Sequence, residues 1–446
     1  MQSSSWSKSS WRGFPVEQSV AWSDHHNKEA VLERLSTLPA LVFAGETRAL
    51  RGKLADVCDG KRFILQCGDC AEEFHRCNGS KIHDYLRTFL QMSTIVNLLG
   101  ETPIVNIGRI AGQYAKPRSS QFEIKNGIEV PIYRGDMVNS LNPTLEEREP
   151  DPRRMLEAYF HSAATLNLIR GFISGGYASL SYIHDWMKHN AFEPTQELLN
   201  LSERVEHCLK LLDVSNMHPA KQVLSHIDFY SSHEALILEF EEALTRVDTT
   251  TGQWYNTSAH FLWIGERTRQ LNGAHIEFLR GLENPIGLKL GPNYEIDEIL
   301  KVIDQLNPEN LKGKLTIITR MGHEGVQDSL PPLLSKVVSE GKNVVWVCDP
   351  MHGNTYKTSS GVKTRNYDHI SGEIEHFFEI HRAESTYPGG VHLEMTSDKV
   401  TECIGGTIQI KEEVLQENYL SACDPRLNNS QSIEIALEIA SNLKSQ

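Results

Sequence analysis

No window of this sequence approaches the ~18 to 20 consecutive apolar residues that a membrane-spanning helix needs. The opening MQSSSWSKSSWRGF has no apolar core of signal-peptide type. These absences set the expectation of a cytoplasmic protein without membrane contact. Cysteine is sparse, eight in 446 residues, which does not suit a secreted disulfide framework, so each is read first as a thiol. Basic charge is in deficit: 44 Lys and Arg against 58 Asp and Glu leave a net charge of −14. A nucleic-acid or membrane-surface binder needs a contiguous positive field, which this balance argues against. Any anionic ligand must be held by local basic clusters. Tandem repeats, low-complexity tracts and long linkers are also missing.

The chain does have 39% apolar residues, enough for a large core. It also has a recurring unit: a short, β-branched apolar run ending in polar or glycine residues and followed by a helical pattern. Eight occur: RFILQCGD (from 62), TPIVNIGR (102), HIDFYSSHE (226), HFLWIGE (260), IGLKLGP (286), LTIITRMG (315), NVVWVCDPMHG (343) and GGVHLEMT (389). Continuous apolar runs suit strands buried on both faces, and alternation with helices implies a parallel sheet. Eight units predict an α/β fold of the (β/α)8 TIM-barrel type, with an open doubly wound sheet as the alternative. Residues 1–60 are expected to form an N-terminal extension, an arm and helices packed on a catalytic barrel spanning 61–446. Between runs two and three, FEIKNGIEVPIY (122–133) alternates around Asn126-Gly127, a hairpin signal that could cover the barrel mouth. Two helical patterns follow within 151–225. One opens at Asp151-Pro152 with Met155, Tyr159, Ala163, Leu166 and Ile169 on one side. The other, after Pro194, runs from Leu198 to Leu212. This is more helix than one crossover requires, and it predicts extra helices inserted between strands 2 and 3.

Barrel enzymes place their sites where strands end. Here the ends are ionisable almost without exception: Cys70, Arg109, His233 with Glu234, Glu266 with Arg267, Lys289, Arg320, Asp349 with His352, and Glu394. One set is cationic: Arg109, Lys116, Arg118, Arg267, Lys289 and Arg320. Converging guanidinium forks suit a small, multiply charged anion. Taken singly, each is equally well a structural ion pair. Lys289 stands between Leu288 and Leu290, where an unpaired ammonium is costly, and a desolvated lysine could instead form a Schiff base. The other set is Cys70, His352, Glu394 and Asp424. A thiolate, an imidazole and two carboxylates suit Mn, Fe, Co or Zn better than Mg or Ca. Spacing alone is weak support, since no two of the four are close in sequence and a lone histidine is more often structural.

In FILQCGDCAE (63–72), Cys67 and Cys70 have the spacing of a redox couple or half a zinc knuckle. No second Cys-x-x-Cys exists, and the chain is too large and regular for a thioredoxin domain.

Together, GDCAE (68–72), RIAGQYAKPRSS (109–120), WIGERTRQ (263–270), GLKLGP (287–292), TRMG (319–322), DPMHGNT (349–355), GGVHLEMT (389–396) and ACDPRLN (422–428) resemble the type II, plant-like 3-deoxy-D-arabino-heptulosonate 7-phosphate (DAHP) synthases. They run in family order over most of the chain. The resemblance implies a (β/α)8 barrel that condenses phosphoenolpyruvate with erythrose 4-phosphate in the shikimate pathway, using a divalent metal, manganese foremost with cobalt as the alternative. It implies Cys70, His352, Glu394 and Asp424 as metal ligands. Arg109, Glu266, Arg267, Lys289 and Arg320 are implied for phosphoenolpyruvate, and Lys116, Arg118 and Ser119 for erythrose 4-phosphate. Lys289, Glu266, Arg267 and His352 become the catalytic candidates, with Glu266 orienting or activating water.

The resemblance further implies aromatic amino-acid effectors acting through the inserted helices, a homo-oligomer (dimer or tetramer), and a chorismate mutase as candidate partner. Cys67 stands where the family usually has glycine, and His323-Glu324-Gly325 departs from its pattern. Cys423, beside Asp424, is expected near Cys70, where oxidation would join the two. A Schiff-base aldolase using Lys289 and a non-catalytic, regulatory sugar-phosphate-binding barrel remain the competing readings.

Overall fold

Each of the eight apolar runs forms a strand: β1 Phe63–Gly68, β2 Ile104–Arg109, β3 Phe229–Glu234, β4 Phe261–Ile264, β5 Ile286–Leu290, β6 Leu315–Thr319, β7 Val345–Cys348 and β8 Gly390–Glu394. In this computed structural model, which describes residues 6–22, 25–125, 127–176 and 227–446 together with 199, 200, 203, 207 and 210, they close into one barrel. Every neighbouring pair is parallel, β1 meeting both β2 and β8. The open-sheet alternative is thereby excluded. A helix follows each strand, from Gly79–Leu99 after β1 to Asn429–Lys444 after β8.

Side chains alternate along a strand, and the alternation sorts two cores. Ile64, Val105, Tyr230, Phe261, Trp263, Ile318, Val345 and Val347 pack inside the barrel with Leu50, Leu54 and Val57 of the helix Ala44–Cys58. That helix plugs the end where the strands begin. The intervening residues, such as Leu65, Cys67, Leu262, Leu288, Leu290 and Leu393, pack against the outer helices. Cys67 therefore faces the helix layer, where burial pushes its thiol far up.

Between β2 and β3, Phe122–Lys125 pairs antiparallel with Ile128–Pro131 around Gly127 at φ +77°, as the Asn-Gly signal predicts. The helix Arg154–Ser174 buries Met155, Tyr159, Leu166 and Ile169, with Ala163 half-buried. It starts later than Asp151-Pro152 suggests. Asp151 Oδ1 accepts the Arg153 N–H at 2.9 Å and caps a tighter turn that precedes the helix. The helix expected from Leu198 to Leu212 lies outside the described residues, apart from 199, 200, 203, 207 and 210, which are helical. Among the described residues, no helix is long and apolar enough to cross a membrane.

The start of the chain lies on the barrel's helices. Trp6 sits over Gly281, and its Nε1 donates to the Glu277 carbonyl at 3.0 Å. Trp11 is buried in the outer core and donates to Glu242 at 2.8 Å. Trp11→Ala should lower the unfolding free energy by about 3 kcal/mol, read as a shifted urea midpoint at unchanged slope. An unshifted midpoint would mean that the arm is not docked in solution.

Candidate functional site

Alternation also explains the lysine in an apolar strand. Leu288 and Leu290 face the helices, so Lys289 points into the barrel, where its Nζ donates to the buried carboxylate of Asp349. Burial is the larger influence and lowers its pKa to about 8, although Asp349 pulls the other way. Beside it, Arg109 ends β2, lies over the Trp263 ring at 5.2 Å and donates to Glu394 at 3.0 Å. Below them, His392 is kept neutral by burial and by Lys289 and Arg109, and its Nδ1 meets Gln66 Oε1 at 2.8 Å.

Glu394, at the end of β8, is fully buried. Its carboxylate meets Arg109 at 3.0 Å, Lys116 at 3.4 Å, Arg365 at 2.8 Å and His352 Nε2 at 3.2 Å. Burial alone would raise its pKa, but these groups, His352 foremost, hold it well below the ordinary value. Asp424 meets Lys116 at 2.9 Å and also pairs with Lys363. Burial pulls the Lys116 ammonium down, and the Asp424 and Glu394 carboxylates more than reverse it.

His352, Glu394 and Asp424 each offer a ligand atom, all within 4.8 Å of one another. His352 Nδ1 lies 2.7 Å from Asp349 Oδ2, and Met351 N–H donates to the same carboxylate at 3.0 Å. A neutral ring that donates Nδ1–H to Asp349 aims its Nε2 lone pair at the Glu394 carboxylate 3.2 Å away. Two acceptors facing each other need a proton or a cation between them, so this donor set fits a divalent metal. Cys70 stands just outside the triplet, and its Sγ accepts the Asp424 N–H at 3.4 Å. Its thiol also hydrogen-bonds Cys423. Burial drives the Cys70 pKa well up, while the hydrogen bond from Cys70 lowers that of Cys423.

His352 and Asp424, two of the metal-ligand candidates, and the cationic set line one cavity of about 370 Å³, with Glu394 fully buried beside it. Among the described residues, Arg109, Lys116, Arg118, Arg267, Lys289, Arg320 and Lys363 line it against the carboxylates of Glu234, Glu266 and Asp424, so an acidic protein presents a cationic pocket. Arg118 approaches Cys423 Sγ at 3.4 Å, and its backbone N–H donates to Gln18 of the N-terminal arm at 2.8 Å. Ser119 and Arg267 are exposed at the rim, and Ile132, just past the hairpin, lines the wall. Glu266 is engaged on both oxygens, accepting from Gly291 N–H at 2.7 Å and from Arg269 at 3.1 Å.

Three contributors were not singled out from sequence as site residues. Lys363 and Arg365 come from the short strand Lys363–Arg365, where alternation puts both on one face, Lys363 lining the cavity and Arg365 buried against Glu394. A Lys-x-Arg pair after a glycine turn was the only available signal. Glu234, seen only as a strand end, lines the cavity with its carboxyl raised by burial, and its Oε1 has no hydrogen-bond partner among the described residues. A Cβ at Gly265 would lie 2.0 Å from that oxygen, so the glycine makes room for it.

A model of the class-II DAHP synthetase family matches residues 6–440. The phospho-2-dehydro-3-deoxyheptonate aldolase of Streptomyces coelicolor is 45% identical over 438 residues, covering 98% of this chain and 97% of that protein. The protein of the same name from Neurospora crassa is 43% identical over 459 residues, covering 99% and 95%. The phospho-2-dehydro-3-deoxyheptonate aldolase AroG of Mycolicibacterium smegmatis is 41% identical over 437 residues, covering 96% and 93%.

Lys289 is cationic below about pH 8 and neutral above it, so anion binding should weaken as pH rises through that value. Sulfate, whose charge is constant over this range, is a suitable probe. Its affinity, followed by tryptophan fluorescence, should fall about tenfold between pH 7 and 9.5, the loss of one charge-assisted hydrogen bond. A flat profile would show that the ammonium stays protonated.

Proposed function

The chain belongs to the class-II DAHP synthetase family, and on that footing we propose that it condenses phosphoenolpyruvate with D-erythrose 4-phosphate and water. The products are 3-deoxy-D-arabino-heptulosonate 7-phosphate and phosphate, the first step of the shikimate pathway. The observation that carries this reading is one cavity lined by a cationic cluster and by His352 and Asp424, which stand within 4.8 Å of the buried Glu394 carboxylate. Condensing two phosphate esters requires neutralising several negative charges at close quarters, and a reacting aldehyde needs its oxygen polarised.

Arg109, Lys289, Arg320 and Arg267 would hold the phosphate and carboxylate of phosphoenolpyruvate, while Lys116, Arg118 and Ser119 receive the aldose phosphate nearer the rim. Holding both in one enclosed space turns a bimolecular encounter into a local one. His352, Glu394 and Asp424, joined by Cys70 once its thiol is deprotonated, would hold a divalent ion, manganese foremost. That ion supplies Lewis-acid polarisation of the aldehyde oxygen. C3 of phosphoenolpyruvate then bonds to the aldehyde carbon, water adds at C2, and phosphate leaves.

Lys289 serves as a charge clamp, because Asp349 pairs with it as an ammonium and Trp263 lies under it at 5.9 Å. This favours the synthase over the Schiff-base aldolase. Glu266 is committed to Gly291 and Arg269, so the role of orienting water would pass to Glu234, which lines the cavity with an Oε1 that has no hydrogen-bond partner among the described residues. The effector and assembly readings extend the proposal: a homo-oligomer inhibited by aromatic amino acids through the 151–225 insertion.

Purified protein should release phosphate only with both substrates and a divalent metal. Cys70→Ser and His352→Ala should each lose bound metal and at least about a hundredfold in rate. Unchanged metal content and rate in both variants would overturn the site, and absence of phosphate release from the unaltered protein would favour a binding barrel. Borohydride with the substrates should leave Lys289 unmodified. Phe, Tyr or Trp, singly or combined, should slow phosphate release, and insensitivity to every combination would remove the feedback reading.

A further inference from the structure

Two glycines mark where the loop after β6 crosses the loop after β7. Gly322 has φ +84°, and a Cβ added at Gly353 would lie 2.4 Å from the Gly322 nitrogen. At this crossing the buried carboxylate of Glu373, from the helix Tyr367–Ala383, reaches both loops. Its Oε1 accepts the N–H of Met321 at 3.0 Å and of Gly322 at 2.9 Å, and its Oε2 accepts from Asn354 Nδ2 at 2.7 Å.

Asn354 extends the link. Its Oδ1 accepts the His323 N–H at 2.9 Å, and its amide donates to the Pro350 carbonyl at 2.8 Å. The His323 ring is stacked between His369 at 5.3 Å and His376 at 5.1 Å, both from the helix that carries Glu373. A Cβ at Gly372 would lie 2.5 Å from His323 Nδ1, so that helix is notched to admit the ring. The three rings are nearly parallel, with interplanar angles of 9° and 12°, so their in-plane lone pairs do not converge as metal ligands would. The stack serves as packing, and it accounts for the His323-Glu324-Gly325 segment.

The two loops carry the two halves of the site. Met321 follows Arg320, Asn354 is two residues beyond His352, and Arg320 Nη2 donates to the His352 carbonyl at 3.0 Å. A carboxylate that merely capped one loop would need no contact with the other. Burial raises the pKa of Glu373 and its N–H donors pull it back, so keeping an acceptor-only carboxylate here has a cost that an apolar residue would avoid.

We propose that Glu373 is a positioning residue which, through Asn354, sets the anion-binding Arg320 and the metal-binding His352 as one unit. The inference rests on the function proposed above. Glu373→Gln would place an N–H donor against an N–H donor, either at Asn354 or at the Met321 and Gly322 amides.

Mn2+ binding, read from the paramagnetic signal of the free ion without substrates, and the KM of each substrate test the link. In Glu373→Gln, Mn2+ affinity should fall about tenfold. The KM for phosphoenolpyruvate should rise by a similar factor, and that for erythrose 4-phosphate should hold. Asn354→Ala should show the same two losses, and the double variant should be no worse than either single one, because both break one link. Additive losses would overturn the proposal, as would a lower melting temperature with unchanged Mn2+ affinity and KM. If Glu373→Gln fails to fold, Asn354→Ala carries the test by the Mn2+ readout. An unaltered protein that binds Mn2+ yet releases no phosphate would refute the reaction, while the Mn2+ comparison would still decide the link.

Discussion

The buried negative charge of Glu394 is the constraint around which the top of the barrel is arranged. A carboxylate with no exposure is tolerable only when it is paired and hydrogen-bonded. Here the pairing comes from four directions: Arg109 from β2, Lys116 from the loop beyond it, Arg365 from a short strand after β7, and His352 from the β7 loop. Arg109, Lys116 and Arg365 are buried there against Glu394 or its neighbour Asp424. His352, Glu394 and Asp424 offer ligand atoms within 4.8 Å of one another at this point, the group to which the proposed function assigns a divalent ion.

The barrel makes this charge density compatible with stability by separating it from the apolar core along the barrel axis. Where the strands begin, the interior is filled by Ile64, Val105, Phe261, Val345 and the plugging helix Ala44–Cys58. Where they end, it holds Gln66, His392, Arg109, Lys289 and Asp349, each bonded to another. Trp263 lies at the boundary, its ring beneath both Arg109 and Lys289. The cationic surplus left after internal pairing lines the cavity, although the whole chain carries −14. Local geometry and not net charge decides what this protein can bind.

Much of the fold was legible. All eight runs are strands, since a strand buried on both faces has to be an uninterrupted apolar run, and the ionisable residue closing each run marks the solvent end of a parallel strand. The anion-binding candidates were legible for the same reason, and Arg109, Lys289 and Arg320 do share a cavity. Less visible was anything whose role depends on a partner distant in the chain. Arg365 reads as one basic residue in a loop, yet it is fully buried against Glu394. Glu266 reads as a free strand-end carboxylate, yet Gly291 and Arg269 occupy it. Glu234 reads as an ordinary acid, and only burial in the folded barrel raises its carboxyl above the ordinary value.

By itself the sequence determined the eight strands, their alternation with helices and the residues standing at their ends, because hydrophobic periodicity and strand-end polarity are local properties of the chain. Closure into a barrel was decided by the tertiary structure. The two cysteines of FILQCGDCAE show the limit. Local alternation places Cys67 toward the helices and ends the strand before Cys70. Only closure of the barrel brings Cys70 to Cys423 and Asp424, more than three hundred and fifty residues away along the chain in the case of Asp424. The same closure decided which charges neutralise one another and which remain for a ligand, since Coulombic pairing depends on distance in space and carries no trace in sequence separation.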